Sequence, residues 1–132
     1  MRSERGSASV ELVSLTPVLV LLVMSVVHAG RAAEALIQLR HAADQGARAA
    51  SLVRTERMED VGERAVISDL RGSGSSCADP LVNVAVDGDS SPRAVMVEIE
   101  CTVRVAGLEL LGVRTRRLEA RSTEVIDVWR AG

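Results

Sequence analysis

Phenylalanine and tyrosine are missing from this 132-residue chain, and tryptophan occurs once, at Trp129. Any core must therefore be assembled from Val, Leu, Ile, Met and Ala, and it will be thin. Lysine is missing too: all sixteen basic residues are arginine, a bias that reads as GC-rich coding rather than chemistry. With a formal net charge of −2 and no stacking aromatics, the chain has neither the positive field nor the base-stacking surface that nucleic acid binding requires. Histidine is limited to His28 and His41, and cysteine to Cys77 and Cys101. The two histidines, thirteen residues apart, point to different helix faces, so they do not complete a zinc site with the thiols. A G-x-S-x-G elbow, a G-x-x-x-x-G-K-[ST] phosphate loop and an H-E-x-x-H helix are all absent. The G-S-G-S-S of residues 72–76 offers hydroxyls but no neighbouring histidine to activate one, and Glu98 and Glu100 share a strand face that reads as solvated. The expectation is a protein that is no enzyme and needs no cofactor or metal.

What the chain does have is a long apolar run near its start. Nineteen residues from Leu12 to Gly30 carry no formal charge. As a helix they reach roughly 28 Å, close to the ~30 Å hydrocarbon core of a bilayer. Glu11 abuts this run, five residues after Gly6, with Ser7, Ala8, Ser9 and Val10 between. A carboxylate near a bilayer's centre costs roughly 2.5 to 3.5 kcal/mol on insertion scales, less toward the interface, and so implies a partner. Basic leader, Gly, four small or neutral residues, Glu, apolar helix: this order resembles the class III signal of type IV pilins, in which a prepilin peptidase cuts after the Gly and the apolar segment is kept. The competing reading is an ordinary secretory signal cut after Ala29 in Val27-His28-Ala29. Glu11 then sits where the apolar region should begin, and the run exceeds the usual 7–15 residues. Arg2 and Arg5 favour an N-terminus inside, while Arg31 and Arg40 weaken that bias.

The helical pattern continues past the apolar run. Leu36, Leu39, Ala43, Gly46, Ala50 and Val53 recur at spacings of three and four, and Arg40, Asp44 and Arg48 fall on another face in alternating sign. One helix from about Ser9 to Arg54, bent by Pro17, competes with two helices hinged near Gly30. A second helix is expected from about Arg57 to Leu70, with Met58, Val61, Ala65, Val66 and Leu70 on one side. Residues 71–80, R-G-S-G-S-S-C-A-D-P, read as a loop. Period two then takes over: Val82, Val84 and Val86 alternate, D-G-D-S-S-P-R turns the chain, and Val95, Val97, Ile99, Cys101, Val103 and Val105 point one way. After a bend through Ala106–Gly112, a third strand spans Val113 to Trp129, its alternation slipping near Arg116-Arg117 as a β-bulge would make it. The fold class expected is α+β: a long N-terminal helix and a short second helix packed on a small antiparallel β-meander. Its divisions are a leader (1–6), the transmembrane half of the first helix (7–30), an extracytoplasmic helical region (31–71) and an extracytoplasmic β region (72–132).

In an exported domain Cys77 and Cys101 read as a disulfide. Closing a loop of about 25 residues contributes roughly 3.5 kcal/mol in the chain-entropy model. Two unpaired buried thiols are the alternative.

R-G-S-A-S-V-E-L-V-S-L-T-P-V-L-V-L-L followed by A-G-R-A-A-E-A resembles the TadE-like pseudopilins of the tight-adherence (Tad, or Flp) pilus system, particularly their actinobacterial form, over about residues 5 to 50. The Cys101 strand and the ending E-V-I-D-V-W-R are similar to that form less specifically. The resemblance implies cleavage between Gly6 and Ser7 by a prepilin peptidase, with Glu11 as the pilin glutamate. It also implies pilin and pseudopilin subunits, the Tad assembly machinery and the lipid bilayer as partners. Leu12 stands where Phe often follows that Glu. Major Flp pilins are much shorter, so a domain of this size favours a minor pilin, held in the cytoplasmic membrane with its C-terminal domain outside or extracted into a pilus. The rival is a single-pass, membrane-anchored binding or scaffold module that never enters a filament, with Glu11 incidental.

Overall fold

The computed structural model describes residues 7–89, 91–104 and 115–126. The leader 1–6 with Gly6, the bend 106–112 and Trp129 lie outside the described residues. The element order is α1 (Ser7–Ser51), α2 (Thr55–Gly72), β1 (Cys77–Asp87), β2 (Ala94–Arg104) and β3 (Thr115–Val125). This is an α+β chain, with a long apolar N-terminal helix, a second helix and one antiparallel sheet of order β1-β2-β3. It divides into two units between Ala33 and Glu34.

The first unit is the early part of α1. The helix runs unbroken through Gly30, with Pro17 inside it, so the hinged two-helix alternative is not the arrangement found. Every described side chain from Val10 to Val27 is exposed.

In the second unit both helices cover one face of the sheet. Leu39, Ala42, Ala43 and Ala47 of α1 join Val66 and Leu70 of α2 against Val97, Ile99, Cys101 and Ala120. A smaller cluster of Ala50, Met58, Val95 and Ile126 continues this core beside Val84 and Val86. Glycines set the helix spacing. A methyl group on Gly46 would lie 2.5 Å from Val66 Cγ2, 3.2 Å from the Gly62 carbonyl oxygen and 3.4 Å from Val97 Cγ1. One on Gly62 would lie 3.2 Å from Val84 Cγ2 and 3.3 Å from the Ala50 Cβ. With no large aromatics to hold the layers apart, α1 and α2 approach until backbone meets side chain.

Three expectations need correction. The loop assigned to residues 71–80 is much shorter, because α2 extends to Gly72 and β1 begins at Cys77. Gly74 takes positive φ, its N–H donates to the Arg71 carbonyl, and the Ser75 N–H donates to that of Leu70. These bonds satisfy the last carbonyls of α2 and stop the helix within one turn. Second, β3 pairs with β2 without a break from Thr115 to Val125, so no bulge lies at Arg116-Arg117. The irregularity is in β1, between Ala78 and Leu81, where Asp79 has positive φ and Pro80 has no N–H to donate. Third, α1 ends at Ser51 rather than Arg54.

Candidate functional site

The first half of α1 presents an apolar surface on every side. Among the described residues it holds the one helix long and apolar enough to cross a membrane, with a mean hydropathy of 2.4 over its best stretch and none of that stretch buried. Leu12, Leu15, Leu19, Leu21 and Val26 are each more than 60% exposed. At about 25 cal/mol per Å² of apolar surface, such a surface is costly in water and favourable in lipid. The hydroxyls within it have partners of their own. Ser14 donates to the Val10 carbonyl (2.9 Å), Thr16 to that of Leu12 (2.7 Å) and Ser25 to that of Leu21 (2.8 Å). Hydroxyls bonded to the carbonyl four residues back need no water, as a lipid-embedded helix requires.

Glu11 is the exception. It is exposed on α1 at the edge of the uncharged run, and among the described residues no cation stands within ion-pair distance of it. Ser7 is the first residue of α1, so it stands one helical turn before Glu11. Gly6 lies outside the described residues.

The other predicted pair is in the second unit. Cys77 and Cys101 form a disulfide, with Sγ atoms 2.03 Å and Cα atoms 5.5 Å apart. Cys77 pairs with Val103 in the β1–β2 ladder, so Cys101 is its diagonal neighbour on the helix-facing side of the sheet. The bond ties the start of an edge strand to the central strand. Two of the serines in residues 73–76 bond to the backbone: Ser73 donates to the Leu70 carbonyl, and the Ser75 hydroxyl accepts the Cys77 N–H.

Two interactions had no clear signal in the sequence. His41 of α1 meets Asp69 of α2 at 3.1 Å, a pairing across 28 residues that no local pattern marks. On the open face of the sheet Glu98 is not merely solvated. It lies directly opposite Arg121, whose guanidinium donates to it at 2.6 Å. That hydrogen bond, with the Glu98 charge, holds the Arg121 proton more tightly than in a free guanidinium. Glu100 faces Glu119 in the ladder, and Arg117 approaches Glu100 at 3.8 Å, placing a cation by two like charges.

Residues 6–48 match the family model described as TadE-like protein. The match opens on Gly6, takes in Glu11 and the whole uncharged run, and closes three residues before the end of α1. It covers about a third of the chain, leaving α2 and the sheet outside. No curated protein and no solved structure matches the chain. Over its N-terminal helix, then, the chain is similar to TadE-like proteins, a family of the Tad pilus system.

Proposed function

We propose that this TadE-like chain is a minor pilin, or pseudopilin, cut between Gly6 and Ser7 by a prepilin peptidase and assembled through α1. The observation that carries the reading is Glu11: between Ser7 and Gly30 it is the one formally charged residue, exposed on its helix and with no cation near it among the described residues. Cleavage creates an ammonium at Ser7. When copies or sister subunits stagger side by side, the Glu11 carboxylate of one meets the ammonium of the next, and two charges that are costly in an apolar bundle neutralise each other. The Val and Leu surface supplies packing, and the charge pair supplies axial register. Residues 7–30 anchor the chain with its N-terminus inside, and the second unit stands outside. A disulfide there accords with an oxidising compartment.

Intact mass of the membrane-extracted protein tests the first step, with residues 1–6 expected to be lost. A mature start at Gly30 would establish ordinary secretion instead. Glu11→Gln tests the second. Processing and insertion are expected to persist, while recovery in sheared pili or in crosslinks to pilus components falls, because stranding one member of a buried pair typically costs about 3 to 5 kcal/mol. Normal assembly of Glu11→Gln would favour the anchored module that never enters a filament.

A further inference from the structure

The two halves of the disulfide are not equivalent. Cys101 is 3% exposed, in the central strand beneath both helices. Cys77 is half-buried on an edge strand and lines an open cavity of about 520 Å³, together with Leu70, Arg71, Ser75, Asp79 and Pro80. The backbone around Cys77 is also weakly held. Its N–H goes to the Ser75 hydroxyl at 3.3 Å, and only Cys77 and Ala78 pair with β2 before the ladder breaks at Asp79-Pro80. Ala78, Asp79 and Leu81 are exposed. Remove the disulfide, and little but those two ladder positions binds residues 75–80 to the sheet.

We infer that Cys77–Cys101 is an addressable disulfide with a fixed polarity, attacked at Cys77 with Cys101 as the leaving thiol, whose cleavage frees the start of β1 without unfolding the sheet. An external thiolate enters through the cavity and attacks the Cys77 sulfur. A new S–S bond forms to Cys77, the Cys77–Cys101 bond breaks, and its electron pair leaves on Cys101, which takes a proton. A second thiolate then attacks the external sulfur of the mixed disulfide and releases reduced Cys77. The electrons come from the external thiols, which end as a disulfide. In the oxidising direction the steps reverse: the Cys101 thiolate attacks Cys77 in its mixed disulfide with a thiol oxidoreductase and expels the enzyme's thiolate. Arg71 offers an approaching thiolate a cation, and Asp79 on the same cavity opposes it. Attack at Cys101 requires the helices to lift from the sheet.

The test uses the full chain in detergent under native conditions, with reduced glutathione as the thiol, acid quenching and peptide mapping. The glutathione adduct is expected on Cys77 in roughly tenfold or greater excess over Cys101, since thiolate exchange follows access. Adduct on Cys101, an even distribution, or no adduct until urea is added would each overturn the polarity. Hydrogen exchange of the reduced chain reads the second half of the inference. Faster exchange confined to residues 75–81 is expected, with the β2–β3 ladder between Glu98 and Arg121 still protected. Loss of protection across β2 and β3 would show a global staple in place of a local latch. A Cys77→Ser/Cys101→Ser variant separates opening from adduct chemistry, and should match the reduced chain in its exchange pattern.

Discussion

The two halves of α1 invert each other. From Val10 to Val27 the large side chains are outside: Leu12 is 71% exposed and Leu19 63%. From Leu39 to Ala50 small ones are inside, with Ala42, Ala43, Ala47 and Ala50 at 0% and Gly46 buried. One helix thus presents bulk where none of the described residues covers it and smallness where α2 and the sheet come close. Among the described residues the first half buries no large side chain, so its apolar surface adds nothing to the core of the second unit. The second half buries little area per residue but allows α2 and β2 within van der Waals range, and dispersion contacts replace what aromatics would have supplied. In a chain without Phe or Tyr, glycine and alanine at the crossing are what make a core possible.

A leucine truncated in each half should break the symmetry most sharply. Leu39 is 2% exposed within the main cluster, and Leu39→Ala should cost about 2–5 kcal/mol of the second unit's stability. Leu19→Ala removes the same atoms from the exposed half and should leave that stability unchanged. Hydrogen exchange of the β2 amides in the full chain measures both. Equal loss of protection in the two variants would mean that the halves are energetically coupled, against the difference in burial.

The next effect is smaller and of opposite steric sign. Gly46→Ala pushes a methyl group to 2.5 Å from Val66 Cγ2, and Val66 is fully buried and, being β-branched, stiff at χ1. The same methyl group would stand 3.2 Å from the Gly62 carbonyl oxygen, a backbone atom. Overpacking of this kind costs about 1–3 kcal/mol, against a gain of up to roughly 1 kcal/mol from replacing a helical glycine, so the clash wins. At Gly62 the closest contacts are the ends of Val84 and Ala50 at 3.2 and 3.3 Å. There Gly62→Ala should fall within about 1 kcal/mol of neutral, the two effects nearly cancelling. A larger loss at Gly62 than at Gly46 would place the tightest point of the crossing elsewhere.

These residues also show what was legible beforehand. The seam of Leu39, Ala43, Gly46 and Ala50 follows from spacing alone and is buried as expected, with Leu36 and Val53 half-buried at its ends. Ala42 and Ala47 were missed because an alanine-rich helix has little contrast between faces. Gly62 was missed for a related reason, since glycine carries no hydrophobic signal although it sits at the closest approach. In β1, Asp79-Pro80 read as a turn, yet proline is tolerated in an edge strand where the ladder breaks. The double arginine at 116–117 looked like a slipped register. It lies near the end of an edge strand, where both side chains reach solvent without a bulge. The cysteine pair was legible because two thiols stood alone in the sequence with no metal-ligand set around them. The His41–Asp69 contact was not, because nothing local distinguishes it from any exposed pair.

The smallest expected effect is at Gly30, and it tests whether the two halves of α1 are one helix in use as well as in structure. A methyl group there would meet nothing within 4 Å, and α1 passes through the position without interruption. Gly30→Ala therefore removes only the entropic cost of a helical glycine, a local gain of roughly 0.5–1 kcal/mol. The β2 amides should exchange as before, those near residue 30 slightly more slowly, and recovery in sheared pili should be unchanged. A hinge would respond differently. Were bending at Gly30 required for assembly, Gly30→Ala would be processed and folded normally yet absent from pili. That outcome would bring back the reading of α1 as two helices, with Gly30 as the joint between bulk outside and smallness inside.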